Sequence, residues 1–189
     1  MSRLQALTAT LLIASTVVIA GSSQGPTLVV TESGPTYLVT AAVSQLALAI
    51  PKGHLVADRP GKDPMYFSFN DRGQSLVVSG WFSPADGFSD IRAFWARESA
   101  NWTERTGLPA PSNVAFEQLG SWNGVFYDIV VPGGVSSNVR AHWVEAGTWI
   151  DVHASKTTSG QSSDLRMDLR DLLKTLAVTV KRQASETRR

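Results

Sequence analysis

Cysteine is absent from the 189 residues. That excludes a disulfide scaffold, a thiolate zinc module, an iron–sulfur centre and a cysteine nucleophile. Charge is scarce as well. Asp, Glu, Lys and Arg make up 17% of the chain, against roughly 25% in ordinary soluble domains. The 17 basic and 16 acidic side chains leave a formal charge of +1. No phosphate-neutralising excess exists, so nucleic-acid binding is not expected. Histidine occurs three times, and no His-Glu-x-x-His pair is present. Gly-x-Gly-x-x-Gly and the phosphate loop ending Gly-Lys-Ser/Thr are also missing. Gly133 and Gly134 follow a strand-like run and Pro132, but no helix opens after them, so they make no phosphate cradle.

What remains is a chain with 43% hydrophobic residues. It is too apolar to be disordered throughout and too short for two ordinary domains. The N-terminus carries an address. Arg3 is the only charge before Glu32, and Leu4 to Ala20 is mostly apolar. Val18 and Ala20 fit the small-residue positions before a cleavage point. Gln5, Thr8, Thr10, Ser15 and Thr16 dilute the run, which is near the lower length limit for a membrane span. The expected organisation is a signal peptide over 1–20, a flexible linker over 21–36, a single domain over 37–182 and a basic polar tail over 183–189. Cleavage removes Arg3 and leaves 16 charges of each sign. Periplasmic or secreted localisation follows. The membrane is a partner only if the N-terminal segment is uncleaved.

Within the domain, Leu46, Leu48 and Ile50 alternate as in a strand, after a stretch from Tyr37 without charge. Met65–Asn70 and Ser75–Phe82 read as a hairpin across Asp71–Arg72–Gly73–Gln74. Phe88, Ile91, Trp95 and Trp102 fall at helical spacing and predict one helix ended by Gly107 and Pro109. Val114–Leu119 and Val125–Val131 are expected to turn at Trp122–Asn123–Gly124. Val139–Glu145 and Thr148–Ala154 form a second hairpin around Ala146–Gly147. Leu165, Leu169, Leu172, Leu173, Leu176 and Val180 predict a closing helix that runs to Val180. The fold class is α+β: a mainly antiparallel sheet covered by two amphipathic helices.

A two-residue turn at Ala146–Gly147 sorts the second hairpin by face. Val139, Ala141, Trp143, Ile150, Val152 and Ala154 share the apolar side. Arg140, His142, Val144, Trp149, Asp151 and His153 share the other. His142 then sits opposite Asp151, and Arg140 opposite His153. A histidine beside a carboxylate can serve as general base or metal ligand. Asp128, from the neighbouring hairpin, is a candidate to join them. The competing reading is a set of cross-strand polar pairs of roughly 0.2–1 kcal/mol each. The candidate binding residues are therefore Arg140, His142, Trp149, Asp151, His153 and Asp128, with no cofactor and no dedicated metal site expected.

The strand ending Ile50–Pro51–Lys52–Gly53, the stretch Trp149–Ile150–Asp151–Val152–His153–Ala154–Ser155 and the closing helix from Leu165 resemble the PsbP-like fold family. The resemblance spans roughly Leu46 to Lys181. It implies an α/β/α sandwich and a non-enzymatic accessory or binding role at a membrane face. The expected partner is another envelope protein or a small ligand. Two alternatives stand beside this: a small hydrolase or metal-dependent enzyme using the His/Asp cluster, and an envelope domain anchored by an uncleaved N-terminal helix. N-terminal sequencing of the native protein is expected to begin near Gly21. A start at Met1 or Ser2, with the protein in the membrane fraction, would assign residues 4–20 to an anchor.

Overall fold

The computed structural model describes residues 27–42, 44–58, 63–159 and 163–181. The expected signal peptide over 1–20, residues 21–26 of the expected linker and the 183–189 tail lie outside them. Among the described residues no helix is long and apolar enough to cross a membrane.

The chain is mixed α+β, and its strand pairings are antiparallel. A small sheet has the order β1-β2-β3-β11, from β1 (Leu28–Ser33), β2 (Thr36–Ala41), β3 (Leu46–Pro51) and β11 (Ala177–Val180). A larger sheet has the order β4-β5-β6-β10-β9-β8-β7. Its strands are β4 (Val56–Ala57), β5 (Tyr66–Asp71), β6 (Leu76–Pro84), β7 (Ser112–Leu119), β8 (Trp122–Val131), β9 (Gly134–Glu145) and β10 (Thr148–Thr158). The helices are α1 (Ile91–Ser99), α2 (Trp102–Thr106) and α3 (Ser163–Thr175).

The Ala146–Gly147 hairpin has the register expected of it, with His142 opposite Asp151 and Arg140 opposite His153. Both turn residues have positive φ, 47° and 71°, as a type I′ hairpin requires. Alternation then sends Val139, Ala141, Ile150, Val152 and Ala154 to one face, where all five are fully buried. On that face the large sheet meets two things side by side. One is the small sheet, through Tyr37, Val39, Leu46, Leu48 and Ile50; the other is α3, through Leu169 and Leu173. The opposite face carries Val125, Tyr127 and Ile129 beneath Trp95 of α1. Burial under this layer pushes the Tyr127 hydroxyl up to about 12.

Several sequence expectations need correction. Residues 28–36 are not a linker, because β1 pairs along β2 and extends the domain before Tyr37. The single helix through Trp102 is two, since Asn101 takes φ 53° and breaks the ladder between α1 and α2. The closing helix stops at Thr175, and Val178 and Val180 belong to β11, paired with β3. Two long helices covering one sheet are therefore replaced by one 13-residue helix, two short ones and a second sheet. Trp122, Asn123 and Gly124 lie inside β8. The turn comes earlier, at Gly120–Ser121, where Gly120 takes φ 62° and Leu119 pairs with Trp122.

Gly80 of β6 shows how tightly the large sheet packs. A Cβ there would lie 2.2 Å from the Asp151 carbonyl oxygen and 2.7 Å from Phe67 Cζ. Neither neighbour is free to retreat, one being backbone and the other core. Gly80→Ala is expected to cost at least about 2 kcal/mol in urea unfolding, as overpacking does. Gly87→Ala, which meets nothing within 4 Å, is expected to stay within about 0.5 kcal/mol of the parent.

Candidate functional site

Four strands set the polar row that contains Asp151. Trp81 of β6 pairs with Asp151 of β10, Asp151 with His142 of β9, and His142 with Asn123 of β8. These side chains share the face that α1 covers. Asp90 caps α1 by accepting a hydrogen bond from the Ala93 N–H at 2.7 Å. The cap directs the helix so that Phe94 lies over the row.

The Asp151 carboxylate is the centre of the arrangement and is 5% exposed. Arg140 donates to it through Nε, at 3.1 Å, and through Nη2. This is a two-point contact that matches the planar guanidinium. His142 Nε2 stands 3.4 Å from Oδ1. That contact is electrostatic, because neither ring nitrogen of His142 has a well-directed hydrogen-bond partner among the described residues. Burial alone would raise the Asp151 carboxyl; His142 and Arg140 outweigh it and hold the group below its ordinary 3.8. The Arg140 guanidinium is itself held between Trp81, at 5.4 Å, and Phe94, at 5.1 Å.

His142 is 1% exposed. Phe88, Phe94 and Trp149 meet its ring at 5.2, 4.5 and 5.0 Å, all near edge-on. The imidazole therefore fills an aromatic cage made by these three rings. His153 sits one step along the same face, opposite Arg140. Its Nε2 is 3.2 Å from Asn138 Oδ1, and the Asn138 amide donates to the Ser136 carbonyl at 2.9 Å. That amide orientation assigns the proton to His153 Nε2. Burial lowers the ring to about 4, with Arg140 adding to the effect.

Five of the six candidates thus come together: Arg140, His142, Trp149, Asp151 and His153. Asp128 does not join them. It pairs with Ser137, one residue out of phase with Asn138 and Arg140, so it faces the opposite side of the sheet. There it is 3% exposed and accepts from Ser137 Oγ at 2.8 Å and Asn113 Nδ2 at 2.9 Å. Arg166 of α3 pairs with it at 3.2 Å. Asp128 fastens α3 to the sheet, together with the Arg170–Glu117 pair. Trp81, Phe88, Phe94 and Asn138 complete the cluster and were not among the candidates. Asn138 was open to the same alternation that selected Arg140. Trp81 was not, because it arrives through the β6–β10 pairing, far apart in sequence. Among the described residues no group of three or more His, Cys, Asp or Glu side chains is placed to hold a metal ion.

No protein-family model and no curated protein matches the chain. Among solved structures it is similar to a protein from Bacteroides thetaiotaomicron VPI-5482, solved at 1.50 Å. The TM-score is 0.46 and the identity 11%, over 75% of this chain. The match spans 47% of that protein's length, so most of the other chain has no counterpart here.

The lowered His153 has a signed consequence. Between pH 6.5 and about 4 the unfolded chain binds a proton at this ring that the folded chain refuses. Stability is therefore complete above pH 6.5 and falls as pH drops toward 4, by about 1–3 kcal/mol. Urea titrations across this range are expected to show that slope, and His153→Gln is expected to flatten it. The Asp151 contribution is lost separately, below its ordinary 3.8. An unchanged slope in His153→Gln would assign the acid sensitivity elsewhere.

Proposed function

We propose that the chain is an exported accessory protein that binds another envelope component and does no chemistry at its His142–Asp151 cluster. The observation that carries this reading is the cover over the cluster. A general base must come within about 2.6–3.2 Å of the proton it takes. His142 is instead enclosed by Phe88, Phe94 and Trp149, and Asp151 is occupied by Arg140. The hydrolase or metal-enzyme reading needs α1 to leave the sheet.

The export part of the proposal rests on the Leu4–Ala20 run and the small residues that end it. The PsbP-like part is supported by helices on both faces of an antiparallel sheet, α1 with α2 on one and α3 on the other. Accessory or binding duty at a membrane face is what that resemblance implies. Affinity capture from the envelope fraction is expected to recover the same component with the parent and with a folded His142→Gln variant. Recovery of nothing above control under several conditions would count heavily against binding. A bound metal in untagged protein, lost in His142→Gln or His153→Gln, would favour the enzyme reading.

A further inference from the structure

We propose that residues 85–111, which carry α1 and α2, form an acid-released lid: proton uptake at His153 lifts them from the sheet. This goes beyond the binding reading above and does not depend on it.

The segment is a single excursion of the chain. It leaves the large sheet after Pro84, which pairs with Thr148, and returns at Ser112, which pairs with Asp128. No strand lies between them, so the segment can lift with every ladder intact. At its root the Ala85 N–H donates to the Gly147 carbonyl at 3.0 Å. Among the described residues, the side-chain hydrogen bonds and ion pair of 86–111 stay inside the segment. They join Asp90 to Ala93, Ser99 to Trp95, Arg105 to Glu98, and Thr106 to Trp102 and Leu108. By contrast, α3 is tied to the sheet by the Arg166–Asp128 and Arg170–Glu117 pairs. Ring contacts hold the lid instead: Phe94 against His142 and Arg140, and Trp95 against Tyr127. The fit is also imperfect. Every buried side-chain nitrogen left without a hydrogen-bond partner among the described residues is in or under this segment: Trp102 Nε1, Trp149 Nε1 and both ring nitrogens of His142. Opening gives each of them water.

His153 stands where an added proton finds no counter-ion. Its Nε2 already donates to Asn138 Oδ1, so the proton goes to Nδ1. Arg140 is opposite it on β9, and the neutral Ser79 is opposite it on β6. Asp151, on the same strand, has both oxygens on Arg140, and Oδ1 is also beside His142. Arg140 and Asp151 are the charges that act on the ring. Tyr127, opposite Asn138 on β8, stays a neutral phenol. Asp58, past Ser79 and Ser68, is held by Ser68 and Asn70. The lid brings no acid to the ring. Asp90 caps α1, Glu98 faces Arg105 at 3.8 Å, and Arg92 lies over Phe116 at 4.3 Å. Asp86, Arg97 and Glu104 are exposed.

A proton on His153 therefore sets an imidazolium against the Arg140 guanidinium, which Trp81 and Phe94 hold in place. Under Phe94 the guanidinium cannot turn to water. With the lid lifted it can, and the repulsion is relieved. The lowering of the ring to about 4 has the matching sign. Between pH 6.5 and about 4, an opened and hydrated His153 takes the proton that the closed one refuses. Lifting bares Val125, Tyr127 and Ile129 of β8, an apolar surface kept dry at neutral pH. In acid the bared imidazoles carry protons, so the open cluster still offers no general base.

A chain without cysteine accepts single thiol reporters. Val125→Cys, under the lid, and Val139→Cys, in the core on the opposite face, both replace fully buried residues. Each is labelled in the full chain with dithiodipyridine, which reacts with thiols in acid, and referenced to a free thiol peptide. Val125→Cys should label faster than Val139→Cys by about tenfold or more. Its rate should rise about tenfold or more from pH 7 to about pH 5, the sign and size that one proton supplies. Adding His153→Gln should remove that rise. Hydrogen exchange of the unaltered chain serves where a reporter disturbs packing. Amides of α1 and α2, corrected for intrinsic exchange, should lose protection about tenfold or more over the same range and stay less protected than those of β9 and β10. Equal labelling of the two reporters, with lid amides exchanging together with β9 and β10, would show global unfolding and overturn the proposal. So would lid protection that is the same at pH 7 and 5, or a rise that survives His153→Gln. Envelope capture at neutral pH is untouched by any of these outcomes, so the binding reading stands or fails on its own.

Discussion

The pairing of β9 with β10 is the constraint from which the rest of the molecule follows. Each strand has only two faces, so one register decides at once where the core lies and where the ions lie. With Val152 opposite Ala141, the apolar residues face the small sheet and α3. With Asp151 opposite His142, the polar residues face α1. A slip of one residue would reverse both. The positive φ at Ala146 and Gly147 sets the phase. Ala146 is an unusual residue for that conformation, so the flanking ladder supplies the energy that holds it there.

The ion cluster beneath α1 is best understood through orientation. A buried ion pair rarely outperforms a well-packed apolar replacement. Removing one partner is a different matter, because the other is left charged in a dry place, at a cost of about 3–5 kcal/mol. Arg140, Asp151 and His142 therefore act as an all-or-nothing fitting. Phe94 touches both Arg140 and His142, and Phe88 touches His142 and Trp149. Only one placement of α1 and the segment before it satisfies these contacts together. The second clamp, on the opposite face, uses the same chemistry through Asp128 with Arg166 and Glu117 with Arg170. A sheet with few charges overall thus spends several of them underneath its helices.

Much of this was legible in the sequence, and the limit has a physical form. The second hairpin, its register and its two faces could be read because a tight turn makes the pairing local. Leu46, Leu48 and Ile50 were legible for the same period-two reason. The β6–β10 pairing was not, because no local rule brings Trp81 to Asp151. Nor was β11: Val178 and Val180 continue a helical stripe as readily as a strand, and only β3 decides between them. The break at Asn101 reflects one residue entering the left-handed region, which a hydrophobic stripe does not report. Asp128 was drawn in only as a member of the neighbouring hairpin, without the β8–β9 register that decides its face. That register sets it opposite Ser137, on the far side.

β11 has a consequence in time. It pairs with β3 from the other end of the domain, Val180 against Leu46 and Ala177 against Ala49. The small sheet is therefore incomplete until nearly the whole domain has been synthesised. Contacts this distant in sequence close large loops and form slowly. Until then β3 keeps one edge bare, and the core that β3 shares with α3 has no lid. Such a domain resists premature folding by its connectivity alone.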